Sequence, residues 1–393
     1  MKRILSAGFV FGLIFIISSQ GLAAEPKTET VRIGALLHLS GGAALWGIPT
    51  LRANEVMVEK INREGGVKIG NTKYYIELVK ADDKSNYNDS VAQANRLIFN
   101  ENVKYIVGPI ISGCVLAILP VTQANKVMVF GFSDSPKILG PDKQYSFRPL
   151  PTFRERIPAV YSFMKQNRPD IKKVALIGPN DESGWGNSDI AKNEAKQYGL
   201  EVVFEDFAQR GTTDFFPVLT KMMGKKPDLL IPHAFPEGEV ALILQQSHQL
   251  GYKGLSVGTT PYNPEGLLAK AGAEAVEGFI FLAPDLTGSA STPGMREFHR
   301  NYVEKYKVFD PVAVAGYPYL WIIKLAVEKA GTWETQAVAK AMENLEGEMP
   351  YGRFSFGGLK TYGAKHQIIY PIFLSQFKGG KWIYLGGPMP DVP

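Results

Sequence analysis

Tyr105-Ile106-Val107-Gly108-Pro109-Ile110-Ile111-Ser112-Gly113-Cys114 holds the key to the chain's architecture. Tyr105 to Val107 is apolar throughout and stops at Gly108-Pro109. A short apolar run closed by a breaker is the pattern of a strand buried on both faces. Ser112-Gly113 then opens a second apolar segment, Val115 to Val121, which reads as a helix. Serine is a favoured N-cap, and a helix start leaves backbone N–H groups without partners. A strand that feeds a Ser-started helix through a loop is therefore suited to receive an anion. Two readings stand side by side: a small carboxylate held at Ser112 and Gly113, or an ordinary connection with a capping serine.

The same alternation extends in both directions. Upstream, Val31 to Leu37 reads as a strand and Ser40-Gly41-Gly42 as its loop. Trp46-Gly47 then precedes a helical pattern through Leu51, Val56, Met57 and Ile61 that stops at Gly65-Gly66. Tyr74 to Val79 is a strand ending at Asp82-Asp83, Ser90 to Phe99 a helix, and Val127 to Phe130 a strand. A second alternation starts near Pro149. It runs through Val174 to Ile177, a helix led by Gly184-Trp185-Gly186, then Val202 to Phe207, Asp214 to Met223, Leu229 to Ile231 and Glu239 to Leu250. Leu255 to Val257 and Phe279 to Leu282 add strands. Helices follow, one to Tyr306 and one from Ala313 to Ala330, and then hairpin-like segments at Arg353 to Phe356, Ile368 to Phe377 and Trp382 to Leu385. The pattern predicts an α/β protein with doubly wound parallel sheets. A length of 393 residues fits two domains.

Composition narrows the function. Formal net charge is +5, with no basic block, so no nucleic acid is expected as a partner. Met1-Lys2-Arg3, the apolar run Ile4 to Ile17 and the small residues Gly21-Leu22-Ala23-Ala24 have the three parts of a secretory signal peptide. The run is shorter than the roughly 20 residues a membrane-spanning helix needs. A cleaved, exported, periplasmic protein is expected, with the cut near Ala23/Ala24. Cys114 is the single cysteine, and its apolar neighbours suggest core packing rather than a nucleophile.

Signatures of catalysis are missing from the sequence. It has no phosphate-binding Gly-rich loop, no His-Glu-x-x-His and no Gly-x-Ser-x-Gly. His38, His233, His248, His299 and His366 lack metal-ligand spacing. Asp82 and Asp83 are adjacent at a strand end and point to opposite sides, so they read as loop and cap residues. An enzyme, a metal site and a bound cofactor are not expected.

Leu39-Ser40-Gly41 with Trp46-Gly47, Asn62 to Val67, Asp82-Asp83, Gly108-Pro109 with Ser112, Gly184-Trp185-Gly186, Gly316-Tyr317 and Glu328 to Gly331 occur in an order that resembles one family over nearly all of the mature chain. That family is the periplasmic solute-binding proteins of ABC importers, in the branched-chain amino-acid (leucine/isoleucine/valine) class. The resemblance implies the type I periplasmic binding fold, two lobes joined by a three-segment hinge with ligand in the cleft. Crossings would fall near Pro149, Pro284 and Pro350. Residues 25–148 and 285–347 would then form one lobe, and 149–284 and 348–393 the other. It implies that Ser112 and Gly113 take the ligand carboxylate, that Phe132, Ser133 and Asp134 add contacts, and that Trp46, Trp185 and an aromatic near Phe235 close over the ligand. A membrane permease is the implied partner, and a monomer the implied state. A sensor feeding a signalling partner is the alternative. One departure matters. Where relatives that bind α-amino acids carry an acid, this chain has Thr259 and Thr260. Either Asp134 or Glu237 supplies the missing charge, or the ligand has no ammonium, since a buried ammonium without a partner costs several kcal/mol.

Overall fold

The computed structural model describes residues 26–387, 389, 390 and 392; the proposed signal peptide lies outside them. Two α/β lobes face each other. The first is built on a six-stranded sheet in the order Val67–Ile69, Thr72–Asp82, Lys27–Leu37, Tyr105–Val107, Met128–Phe130 and Ser146–Phe147. All its neighbours are parallel except the first pair, a hairpin. The second is a parallel sheet in the order Leu255–Ser256, Leu229–Pro232, Lys173–Pro179 and Glu201–Ala208.

The apolar runs follow from helices on both faces of these sheets. Tyr105 and Val107 pack into one cluster of the first lobe, with Met57 and Ile323, while Ile106 between them packs into another with Leu97 and Ile118. Alternate residues thus enter opposite cores, and a strand served this way has no polar face. In each sheet the strand order reverses beside the strand that comes first in the chain, Lys27–Leu37 or Lys173–Pro179. Open α/β sheets leave a crevice at the carboxyl ends of the strands at such a point.

The chain passes between lobes at three places, around Pro149–Thr152, Ala283–Asp285 and Tyr370–Phe373. The third lies some twenty residues beyond the expected Pro350. The strands Glu346–Met349, Gly352–Gly357 and Gln367–Ile369 form a small sheet that joins the first lobe through a bridge between Arg148 and Gln367. Met349, Phe354, Phe356 and Ile368 pack in the first lobe's core. Beyond them, Leu374–Lys378 and Lys381–Gly386 form a hairpin in the second lobe, where Leu374–Lys378 pairs with Ile280–Leu282. The hairpin-like segment Ile368 to Phe377 is therefore split into two strands in two lobes. Pro371 separates them, having no N–H to give a ladder.

Candidate functional site

The cleft between the carboxyl ends of the two sheets is lined from the first lobe by Trp46, Thr50, Ile110, Ile111, Ser112, Phe132, Asp134, Val312 and Ala315. Ser183, Arg210, Ala234, Thr260 and Pro261 line it from the second. Trp46 stands in the first turn of the helix Ala44–Arg63. Gly47 beside it is required by packing: a Cβ there would sit 1.9 Å from the carbonyl oxygen of His38. That close approach seats the helix against the strand end and carries Trp46 over the cleft.

Ser112 is the first residue of the helix Ser112–Ala124, not its N-cap; Ile111 holds that position and offers no side-chain cap. The Ser112 hydroxyl is left for other work. It lies 3.1 Å from the Ser183 hydroxyl of the opposite lobe and 3.4 Å from the N–H of Ser135. The loop before this helix is held by a relay. The Ile111 N–H donates to His38 Nε2 at 3.0 Å, His38 Nδ1 pairs closely with Asp83, and Asp83 accepts from Ser90 Oγ at 2.9 Å. Asp82 instead receives the hydroxyl of Ser40 and the N–H groups of Leu39, Ser40 and Lys84. Burial disfavours its charge, yet these bonds hold its carboxyl below the usual range.

His38, Asp83 and Cys114 bring ligand-type atoms within 4.8 Å of one another. Both His38 nitrogens are occupied by the relay, and burial pushes the Cys114 thiol up to about 12. The trio is a hydrogen-bonded support beneath the cleft, without the thiolate a soft metal needs.

Asp134 lines the cleft with its oxygens already engaged. Oδ1 accepts from the Phe153 N–H at 3.0 Å and Oδ2 from Asn187 Nδ2 at 3.1 Å, and Arg156 Nη2 lies 3.7 Å away. Arg156, itself buried, donates to the carbonyls of Thr259 and Pro151 and stacks 5.4 Å from the Phe132 ring. Fully buried Arg148 ties down the loop that carries Asp134, donating to the carbonyls of Ser133 and Ser135.

Several expected contacts stand elsewhere. Trp185 is 47% exposed and donates to Asn180 Oδ1 at 3.0 Å, away from the cleft lining. Phe235 is in the second lobe's core against Phe215, and Ala234 takes the lining position beside it. Gly113 faces Tyr87, whose ring would lie 2.5 Å from a Cβ there. The Ser133 hydroxyl accepts from the Ser135 N–H within its own loop. Glu237, the alternative acid, accepts from the Asn263 N–H at 2.9 Å and faces Lys270, also off the lining. Thr260 does line the cleft, with its hydroxyl buried and unpartnered among the described residues.

Arg210 went unrecognised in the sequence. It follows the strand Glu201–Ala208 and is braced by Asp181 at 2.7 Å and the Ala234 carbonyl at 2.9 Å. Its guanidinium reaches across to lie 5.8 Å from the centre of the Trp46 ring. No local pattern marks a cleft arginine; only the position just past a strand's carboxyl end would have drawn attention to it.

Two doubly wound lobes with a cleft between the carboxyl ends of their sheets frame a ligand site. The chain belongs to the periplasmic binding protein family, whose model matches residues 30–381. It is a substrate-binding protein of the type I fold and not an enzyme. It is similar to Leu/Ile/Val-binding protein homolog 8 of Brucella abortus, 28% identical over 312 residues that span 75% of each chain. Among solved structures it is similar to the branched-chain amino acid transporter substrate-binding protein LivJ of Streptococcus pneumoniae in complex with isoleucine. There the TM-score is 0.78 at 22% identity, over 92% of this chain and 100% of that one. It is similar also to an ABC transporter solute-binding protein of R. palustris in complex with benzoate, with a TM-score of 0.75 at 21% identity over 92% and 97%. Among the described residues no helix is long and apolar enough to cross a membrane.

Proposed function

We propose that this protein is exported to the periplasm, captures a small carboxylate with an apolar body in the cleft, and delivers it to the membrane permease of an ABC importer. The observation that carries the ligand class is the charge balance of the cleft. The start of the helix Ser112–Ala124 and Arg210, whose charge is shared with Asp181, offer donors to a carboxylate. The one acid in the lining, Asp134, is committed to Phe153, Asn187 and Arg156. An ammonium would have to displace those bonds or go unpaired, at a cost of several kcal/mol. Trp46 and Phe132 supply flat faces for the apolar body. The two liganded neighbours hold isoleucine and benzoate, both carboxylates, and benzoate carries no ammonium.

A branched-chain amino acid is the second reading, favoured by the Leu/Ile/Val-binding names of the relatives. Paired calorimetric titrations separate the two. Leucine is compared with 4-methylpentanoate, and phenylalanine with 3-phenylpropanoate. The acids are expected to bind at least tenfold tighter. Ser112→Ala is expected to weaken them by about 1–3 kcal/mol, the range spanned by hydrogen bonds to charged groups and buried groups left unpaired. Leucine binding that is tighter than the acid's and survives Asp134→Asn would return the function to amino acids.

A further inference from the structure

Tyr87 enters none of the assignments above, yet it stands over the anion end of the cleft. It opens the helix Tyr87–Asn95. Two residues of the loop before it, Lys84 and Ser85, are left-handed, with φ of 53° and 60°. That conformation is costly for residues with a Cβ and persists only where the surroundings hold it. Here Asp82 accepts the Lys84 N–H at 2.9 Å and Asp83 the Ser85 N–H at 3.0 Å, while Ser85 Oγ accepts from the Ala43 N–H at 3.0 Å. Asn86 then caps the new helix through the N–H groups of Asn88 and Asp89. A loop fixed in this shape sends the Tyr87 side chain across to the start of the helix Ser112–Ala124. There the tip of the ring rests on Gly113. A Cβ added to Gly113 would lie 2.5 Å from Cζ, 2.6 Å from Cε1 and 2.7 Å from the hydroxyl oxygen of Tyr87. Glycine at 113 is what lets the ring lie that low; any Cβ would lift it off.

The helix start beneath the ring has no side-chain cap, and its first N–H with a carbonyl partner inside the helix turn is that of Val115, on Ile111. The N–H groups of Ser112, Gly113 and Cys114 are the ones left for an anion. The second lobe faces the same ring. Burial of its inner side pushes the phenol up, and Asp181 and Arg210 act on it with opposite signs. Tyr87 is nevertheless 51% exposed, so the ring has one side in solvent while its tip covers Gly113. We infer that Tyr87 is the roof of the carboxylate site, a positioning residue that keeps water from the helix start without itself holding the ligand. This rests on a carboxylate at Ser112, and holds whether that carboxylate belongs to an acid or to an amino acid. Hydrogen bonds to a charged oxygen strengthen where water is excluded, and salt then screens them less. The ring does this work and not the hydroxyl, so phenylalanine serves in its place.

The test is calorimetry of 4-methylpentanoate and of leucine at about 0.05 M and about 0.5 M sodium chloride, a roughly threefold change in screening length. The proteins are wild type, Tyr87→Phe, Tyr87→Ala, Gly113→Ala and the double variant Tyr87→Ala/Gly113→Ala, each checked for fold by circular dichroism. Wild type and Tyr87→Phe are expected to bind within about twofold of each other, and each to lose no more than about twofold from low salt to high. Tyr87→Ala is expected to bind about tenfold more weakly at high salt and to lose at least about fivefold between the two salts, because the opened site is screened. Gly113→Ala, which lifts the ring, is expected to show the same salt-sensitive loss in wild type and to add no more than about twofold once residue 87 is alanine. A loss in Tyr87→Ala that is equal at both salts is the mark of a structural role and overturns the roof. Unchanged affinity in Tyr87→Ala overturns it too, as does an equal loss in Tyr87→Phe or a Gly113→Ala loss that persists in the double variant. The expected pattern seen with leucine alone sinks the acid reading above and keeps this inference. Failure of both compounds to bind wild type overturns the carboxylate site and its roof together.

Discussion

His233 is sealed at the base of the second lobe's cleft wall. Its ring is fully buried against Phe153 and has Ser188 Oγ at 3.1 Å from Nε2. Burial pulls its titration down to about 4, against the pull of Asp134 and Asp181. Between about pH 6.5 and 4 the unfolded chain therefore holds a proton here that the folded chain does not, and stability falls as pH falls through that window. At about 1.4 kcal/mol per pH unit, the loss from this one residue reaches roughly 3 kcal/mol by pH 4. Urea unfolding from pH 7 to 4 is expected to show it, and His233→Gln is expected to flatten that part of the slope. At this scale the sequence misleads through its glycines. Trp46-Gly47 and Trp185-Gly186 look like matching pairs, but the glycine that meets a strand-end carbonyl in the second lobe is Gly184, 1.8 Å from the Pro179 oxygen by its missing Cβ. Aligned on Gly47 and Gly184, the partner of Trp46 is Ser183, which does line the cleft; Trp185 comes two positions late and faces solvent. Nothing in a one-dimensional string tells a glycine kept for close approach from one with open space around it, as at Gly186.

The helix Ser112–Ala124 and its loop are placed by a neighbour that sequence reasoning left as a bland histidine. His38 follows the central strand, and its Nε2 accepts the Ile111 N–H while Asp83 holds the other nitrogen. Replacing His38 with Leu leaves the Ile111 N–H without its acceptor and takes one partner from Asp83, which keeps the Ser90 hydroxyl and the Ser85 N–H. The expected cost is about 1–3 kcal/mol or more in unfolding free energy by urea titration. A comparable loss of acid affinity by calorimetry is expected, because the helix start shifts with its loop. Gln at this position, able to donate and accept, is expected to recover part of both. Elements whose two faces are both buried were the most legible, because Tyr105 to Val107 and Val174 to Ile177 have no polar residue to confuse the pattern. Short helices such as Pro264–Ala271 and Thr335–Met342 were missed, since one or two turns carry too few repeats to show a period. The break at Pro371 was lost in an apolar run whose halves happen to serve different cores.

At the scale of the molecule the two lobes are in contact across the cleft. Ser183 meets Ser112, Asn187 meets Asp134, Arg210 covers Trp46, and Lys137 pairs with Glu182 at 2.8 Å near the surface. These contacts are few, and the Lys137–Glu182 pair among them is partly exposed, so each contributes little. A hinge closed by such contacts is shifted by any ligand that prefers the closed form. Small-angle scattering is expected to show a smaller radius of gyration on saturation with a bound acid. An unchanged radius would mean that the lobes are already shut in solution. The two-lobed architecture was legible because strand and helix alternate twice. Which segment belongs to which lobe was not, because small strands at the chain's end carry no mark of the sheet they join.

The enclosure of the cleft from both sides has a kinetic meaning. With Ser112 and Thr50 on one wall and Ser183 and Arg210 on the other, a held molecule leaves most readily when the lobes part. Its residence time then follows how often they open, an event of microseconds to milliseconds for hinged lobes. Tight and weak cargoes then differ chiefly in how seldom the gate swings, and each new contact in the cleft acts as a brake on that swing.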